Sequence, residues 1–161
     1  KQWQIAVALL GYMRVKAITP NVVSFSAAIL ACANVGQMPY AVSLLDEMRI
    51  ANVTPNAVSY TAAIKASKNS GQSNYALSLL DEMILSKLMP SLRNFNVALA
   101  ACESSGKWQD AIAMLQQMRA IVVTPSMISC SSAVAACQTS NQWRHVVPLL
   151  RELVEQAKAT G

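Results

Sequence analysis

A repeat of 35 residues runs through this chain and constrains its fold more than any other feature. The segments ITPNVVSFSAAI, VTPNAVSYTAAI, LMPSLRNFNVAL and VTPSMISCSSAV follow one another in constant phase. Their prolines, each 35 residues after the last, are Pro20, Pro55, Pro90 and Pro125. A fixed period of this size is typical of proteins in which small supersecondary units stack side by side. The sequence therefore predicts an array of repeats.

Each unit has the pattern of two helices joined by a turn. A polar residue that can cap a helix follows every proline, and about a dozen residues rich in alanine and apolar side chains come next. A glycine or asparagine then ends this first helix, and an amphipathic stretch such as YALSLLDEM predicts the second. The residues in this turn column are Gly36, Gly71, Gly106 and Asn141.

The period also fixes the boundaries of the units. With Val22 as a first residue, the repeats are 22–56, 57–91, 92–126 and 127–161, and residues 1–21 supply the second helix and tail of a preceding repeat. The prediction is an all-α chain of nine helices. The chain has no initiator Met and already reads as helix at Trp3, so we expect it to be a segment of a longer protein, with any targeting peptide outside it.

Composition narrows the function classes. A hydrophobic fraction of 53% with only 13% charged residues excludes disorder. No apolar run reaches the roughly 18 residues of a membrane span, so no membrane partner is expected. The net charge of +5 indicates an acidic partner such as nucleic acid, although a basic excess of this size is also common on surfaces without such a partner.

Several columns of the repeat are predicted to form the core. In the second helices two columns lie three residues apart on one face: Leu45, Leu80, Leu115 and Leu150, with Met48, Met83, Met118 and Leu153. The first helices contribute Phe25, Tyr60, Phe95 and Cys130. Three cysteines recur at one small packing position and show no metal-ligand spacing, so neither metal nor cofactor is predicted: Cys32, Cys102 and Cys137.

A few residues are predicted to lie outside this core. The acidic pairs Asp46–Glu47 and Asp81–Glu82 fall between the core columns and should point to solvent, where they give no basis for acid–base catalysis. Pro148 is predicted to kink or shorten the last helix, because its ring cannot donate a backbone hydrogen bond. The one histidine of the chain, His145, is expected at the surface.

The 35-residue step, the S-[FY]-[ST]-A-A-I opening and the ALSLLDEM body resemble the pentatricopeptide repeat, and the resemblance covers all four units. The W-x2-L-G-x2-Y signature of the tetratricopeptide repeat is absent. The resemblance implies a right-handed α-solenoid superhelix whose first helices line a concave groove, where each repeat meets about one base of single-stranded RNA. It also implies a mitochondrial or plastid location.

The same resemblance assigns the site residues. In the family, the fifth and last residues of each unit read the base, and the second residue stacks against it. The fifth residues here are Ser26, Thr61, Asn96 and Ser131; the last are Asn56, Ser91, Ser126 and Gly161; the second are Val23, Val58, Arg93 and Ile128. Second and fifth residues are i,i+3 neighbours and share one helix face.

The fifth residues are small and polar although most of their neighbours in the sequence are apolar, which suits hydrogen bonding to a base. A Ser or Thr there can instead bond back to the backbone. Arg93 departs from the usual aliphatic stacking residue, but its guanidinium plane can also stack on a base.

The family's code, as the resemblance implies it, gives each unit a base preference. A hydroxyl residue with Asn pairs with adenine, which assigns adenine to Ser26 with Asn56. Asn with Ser pairs with a pyrimidine, which assigns cytosine or uracil to Asn96 with Ser126. Thr61 with Ser91 is less typical and implies only a weak purine preference. Guanine is not predicted, because no unit ends in Asp.

Charge distribution is the feature by which the candidate functions differ most. Thr61, Lys65 and Lys68 share a face, so only the second repeat is predicted to carry a basic stripe, and four repeats alone should bind RNA weakly. Low charge also suits a rival function, in which the concave surface binds other proteins, for instance in an organellar ribosome. The hypothesis that the chain is an enzyme has the least support, since no deaminase, nuclease or phosphate-loop motif is present and no small-molecule substrate is expected.

Overall fold

The structure is a computed structural model that describes residues 2–159, except for the side chains of residues 152, 153 and 155–159. This described part is all-α, as predicted, and has nine helices and no strand. They are α1 (Gln2–Val15), α2 (Val22–Asn34), α3 (Met38–Ile50), α4 (Ala57–Ser70), α5 (Ser73–Leu85), α6 (Leu92–Ser105), α7 (Trp108–Ala120), α8 (Met127–Thr139) and α9 (Trp143–Ala159).

Local signals begin and end the first helices as predicted. The side chains of Asn21, Asn56, Ser91 and Ser126 cap α2, α4, α6 and α8 by accepting backbone N–H bonds from their first turns. The turn column adopts left-handed backbone, with φ of 68° at Gly36 and 57° at Asn141. Each unit therefore closes into a hairpin through interactions within itself.

The helices form two layers of a solenoid. Each first helix packs on the next, so that α2, α4, α6 and α8 form a continuous inner layer. Each of α3, α5 and α7 packs on its own first helix and on the following one, whereas among the described second helices only the backbones of α5 and α7 come close to each other. Because the inner layer is the more closely packed, the array curves toward it, and the first helices line the concave side.

The predicted core columns are buried in the units that have a neighbour on both sides. Phe25, Tyr60 and Phe95 are buried between helices, as are the leucines and methionines of α3, α5 and α7. The cysteines occupy the small packing sites expected of them. Loss of solvation raises the pKa of the Cys102 thiol to about 12, with a smaller contribution from the Asp110 carboxylate, so this group stays protonated.

One prediction about the last hairpin is wrong, and another is wrong in part. Leu150 was expected in the core, but 46% of it is exposed. Its equivalents on α3, α5 and α7 are covered by the first helix that follows, and no described helix follows α9. Leu153 lies outside the described side chains. The helix is not shortened at Pro148, because α9 continues to Ala159, and a kink at this proline stays a prediction.

The ends of the second helices carry a feature that the sequence analysis missed. After α1, α3, α5 and α7, the residue two positions beyond the helix end has positive φ although none is glycine: Ala17, Asn52, Lys87 and Val122. Backbone bonds such as Val123 N to Met118 O, at 2.8 Å, close the helix around this left-handed residue. No glycine marks this left-handed position in the sequence. The only signal for it is the short distance between the end of the second helix and the next proline.

Candidate nucleic-acid interface

The second residues of the units form an exposed row on the concave side. They lie in the first turns of α2, α4, α6 and α8, and the exposed fractions of Val23, Val58 and Ile128 are 73%, 60% and 62%. Arg93 is exposed as well. Exposure of large aliphatic side chains to water is unfavourable, so their exposure in one repeated place makes this row a candidate binding surface.

Two open cavities lie along this row, one at the step from repeat 1 to repeat 2 and one at the step from repeat 2 to repeat 3. Slot 1, of about 270 Å³, is lined by Val23 and Val58 together with Ser26 and Asn56. Slot 2, of about 510 Å³, is lined by Val58 and Arg93 together with Thr61 and Ser91. Each slot thus unites the second, fifth and last residues of one unit with the second residue of the next. Val58 lines both slots.

The fifth residues lie deeper than the second residues. Ser26 is 7% exposed, Thr61 and Asn96 are half-buried, and Ser131 is exposed. The alternative of bonding back to the backbone occurs at two of them: Thr61 Oγ1 donates to the Ala57 carbonyl at 2.6 Å, and Ser131 Oγ donates to Ile128 at 3.0 Å. A second lone pair of each hydroxyl oxygen can still accept a bond.

The third residue of each unit, which the sequence analysis missed, links the repeats. Ser59, Asn94 and Ser129, here called the bridging residues, are at most 3% exposed. Each contacts the fifth residue of the preceding unit: Ser26 with Ser59 at 2.8 Å, Thr61 with Asn94 at 2.7 Å, Asn96 with Ser129 at 2.7 Å. A buried polar side chain needs such a partner. The available signal in the sequence was that the third residue of every unit is polar.

The bridging residues also bond to the capping side chains. Ser59 Oγ donates to Asn56 Oδ1 at 3.1 Å, and Ser91 Oγ donates to Asn94 Oδ1 at 2.6 Å. Ser126 Oγ and Ser129 Oγ lie 3.1 Å apart. Fifth, bridging and last residues therefore form one hydrogen-bonded chain under each step of the row, and this chain fixes which hydrogens and lone pairs remain for a ligand.

Positive charge on the concave side is concentrated at slot 2. Lys65 and Arg93 line it, and Lys65 Nζ also donates to Asn34 Oδ1 at 2.8 Å. Lys68, the third residue of the predicted stripe, is exposed on α4 but lines neither slot. The basic surface near the slots is thus smaller than the sequence suggested.

The second helices carry most of the acids, and these are largely paired. Arg14 binds Glu47 at 2.6 Å, and Arg49 binds both Asp46 and Glu82. Glu82 also accepts a bond from the Tyr60 hydroxyl at 3.2 Å, so it is not a simple solvent-facing residue as expected. Pairs at this exposure contribute little to stability. They do keep negative charge on the convex side, away from the slots.

Within the described side chains, no group of three or more His, Cys, Asp and Glu residues could hold a metal ion. None of the described helices combines the length and the apolar character that crossing a membrane requires. Gly161, the predicted last residue of the fourth unit, lies outside the described residues, and so does any slot that it would complete.

Stacked two-helix units with side-chain-walled slots on the inner face define a helical-repeat binding protein. Models of the pentatricopeptide repeat match most of the chain: the PPR repeat family at residues 20–69, the pentatricopeptide repeat domain at 1–35, and the PPR repeat at 58–88 and 94–121. The chain belongs to the pentatricopeptide repeat family. No curated protein sequence matches it significantly.

Solved structures share the fold at low sequence identity. The pentatricopeptide repeat protein PPR10 from maize is 22% identical with a TM-score of 0.76, over 98% of this chain and 22% of its own. The pentatricopeptide repeat domain of Arabidopsis thaliana protein-only RNase P 1, solved in complex with tRNA, is 16% identical with a TM-score of 0.79, over 97% and 82%. Nuclear proteinaceous RNase P 2 from A. thaliana is 16% identical with a TM-score of 0.81, over 94% and 34%.

Proposed function

We propose that this chain binds single-stranded RNA along its concave side, with about one base entering each slot. The observation that carries the proposal is the repeated slot itself. In slot 1 and slot 2, two exposed second residues stand on either side of a space that also holds the polar fifth and last residues. A flat base with apolar faces and a polar edge matches such a space.

Relatives support the same function. PPR10 from maize has also been solved in complex with an 18-nt psaJ RNA element, and that structure is 15% identical to this chain, with a TM-score of 0.72 over 92% of it. The chain spans 22% of the length of PPR10, so its four repeats correspond to part of a longer track. We infer that the chain acts by binding RNA in organellar RNA processing, stability or translation, in a mitochondrion or plastid, and is not itself an enzyme.

The family resemblance implies a direction and a base sequence for the bound RNA. With the N-terminal repeat at the 5′ side, slot 1 takes adenine through Ser26 and Asn56, and the following places take a purine and then a pyrimidine. The Asn56 side chain supports the first assignment: its Oδ1 accepts the N–H groups of Val58 and Ser59, which leaves its Nδ2 as a donor toward a base. Adenine offers the matching acceptor N1.

Selection from a random RNA pool tests the proposal, and Val58→Asp is the informative variant. Val58 lines both slots, so a carboxylate there places negative charge beside the RNA phosphates and should weaken binding by about tenfold or more. The matched control is Val122→Asp. Val122 is 89% exposed, lines neither slot, and has a positive φ that Asp tolerates well.

Enrichment of RNA by the control and wild type, with loss in Val58→Asp, is the expected result. Equal binding by both variants would show that the slots are not the binding site. If no RNA is enriched and a protein copurifies at stoichiometric amounts, the concave side is a protein-binding scaffold instead.

A further inference from the structure

We infer that the buried bridging residue Asn94 makes slot 2 selective for guanine, an inference that rests on the proposed RNA binding. The code implied by the family resemblance gives Thr61 with Ser91 only a weak purine preference. The hydrogen bonds of this slot define it more closely than the two residue types do, because Asn94 accepts the hydrogen of the Ser91 hydroxyl and donates to Thr61, whose own hydrogen goes to the Ala57 carbonyl.

The orientation of the Asn94 amide is fixed by the backbone. Its Oδ1 lies 2.9 Å from the backbone nitrogen of Ser91, which can only donate, so this atom must be the oxygen. The nitrogen, Nδ2, therefore faces Thr61 Oγ1 at 2.7 Å and donates to it. Asn94 is 3% exposed, and the packing around it holds this arrangement in place.

Both hydroxyls of slot 2, those of Thr61 and Ser91, donate their hydrogens to acceptors within the protein. Thr61 Oγ1 donates to the Ala57 carbonyl at 2.6 Å and accepts from Asn94. Ser91 Oγ donates to Asn94 Oδ1 at 2.6 Å and accepts the Asn94 backbone N–H at 3.4 Å. Each oxygen keeps one lone pair and no hydrogen. The pair therefore presents two acceptors to a base.

Guanine alone has two adjacent donors, N1–H and N2–H, on its Watson–Crick edge. Adenine and cytosine each place an acceptor beside their amino group, and uracil places its one N–H between two carbonyls. An acceptor of the base against an acceptor of the protein leaves both unpaired, which is costly in a site from which water is excluded. The remaining guanine acceptor, O6, suits a slot that also carries Lys65 and Arg93.

Slot 1 shows the contrast within the same chain. There the bridging residue is Ser59, whose one hydrogen goes to Asn56 Oδ1, so Ser26 donates to Ser59 and is left as an acceptor. The last residue, Asn56, still has its Nδ2 hydrogens to donate. One acceptor beside one donor complements adenine, whereas two acceptors in slot 2 complement guanine.

The test measures the affinity of this chain for short RNAs that carry A-N-C in one fixed context, with each base in turn at N. Guanine at N is expected to bind at least about fivefold more tightly than adenine, the lower end of a good bidentate discrimination. Asn94→Ala frees the Ser91 hydroxyl to donate and should bring the two affinities close together. Asn94→Ser, which places the Ser59 side chain type in this slot, keeps an acceptor for Ser91 and should retain the preference.

Further measurements separate a reading role from a structural one. Ser59→Ala alters the bridge of slot 1 and should leave the guanine preference at N unchanged. Ser91→Asn, a cap that α4 already uses at Asn56, should shift N to adenine, and it keeps the test open if Asn94→Ala does not fold. Adenine preferred at N by the wild type, with RNA binding otherwise retained, would overturn the guanine assignment alone. Failure to bind any of the RNAs would overturn the proposed function with it.

Discussion

At the scale of single residues, the side chains that link neighbouring repeats on the concave side are small and polar. Ser59, Asn94 and Ser129 are buried, yet each bonds to two different repeat-defining positions, the fifth residue before it and the capping residue beside it. Burial of such groups without partners would cost about 1–3 kcal/mol each. The same bonds that offset this cost hold the slot residues in one orientation.

Val122 is a residue whose replacement should stabilise the protein. Its φ of 63° is left-handed, which is unfavourable for a β-branched side chain, and 89% of it is exposed, so little packing is lost on substitution. Val122→Asn introduces the residue that repeat 1 has at this place, Asn52 with φ 54°. We expect about 1 kcal/mol of added stability, measured by chemical denaturation.

The control for this change is Val147→Asn, at a site that is 61% exposed but within helix α9. Asn and Val have similar helix propensities, so this variant should change stability by less than about 0.5 kcal/mol. Equal effects at both positions would mean that the backbone conformation is not the cause.

At the scale of helices, neighbouring second helices are connected by one repeated side-chain contact. A residue in the first turn of one second helix meets the third residue of the next one: Trp3 with Tyr40, ring centroids 4.7 Å apart, and Trp108 with His145, stacked at 4.5 Å. Ser73 donates to Asp110 at 2.8 Å in the corresponding place. The described helices α5 and α7, where these side chains are short, are also the second helices whose backbones meet.

Trp108 is therefore expected to contribute to stability through its neighbour. Trp108→Ala removes the stack on His145 and part of the contact with the core, and should lower the free energy of unfolding by about 2 kcal/mol. Trp143 is the matched control, because it occupies the same place in its helix but is 56% exposed. Trp143→Ala should cost less than half as much in the same denaturation experiment, and a comparable loss would contradict the role of the stack.

Features decided by residues close together in the chain could be predicted from the sequence, whereas features decided by packing between hairpins could not. The nine helices, the caps and the left-handed glycines were predictable, because proline, capping residues and glycine act within a few residues of themselves. The family resemblance assigned the second residues to the site, and helix periodicity placed them on one face with the fifth residues. The bridging role of Asn94 and the exposure of Leu150 depend on how one hairpin rests on the next, and no local pattern states that.

At the scale of the whole molecule, few positive charges lie at the slots, so electrostatic attraction to phosphates would contribute little to the proposed RNA binding. Seven of the eight acids belong to the second helices or to the residues just before them, while slot 2 carries Lys65 and Arg93. Only a few phosphates can be neutralised at the slots. Most of the affinity of the proposed complex would then come from stacking and hydrogen bonds, which salt screens little.

Salt dependence gives a direct check of this balance. With about two phosphates neutralised, the logarithm of the RNA association constant should fall with the logarithm of salt concentration with a slope of roughly −1.4. Lys65→Met should make the slope shallower by about 0.7, since one contact is lost. A slope several times steeper would place the RNA on another basic surface of the protein.

The bond from Thr61 to Asn94 crosses the boundary at which one 35-residue unit gives way to the next. Units recombined to bind a different RNA could be joined at that boundary. A cut there would bring in a fifth residue without the neighbour that orients it. Segments exchanged from one fifth residue through the third residue of the following unit, such as 61–94, would carry their own orientation with them, and should transfer a base preference intact.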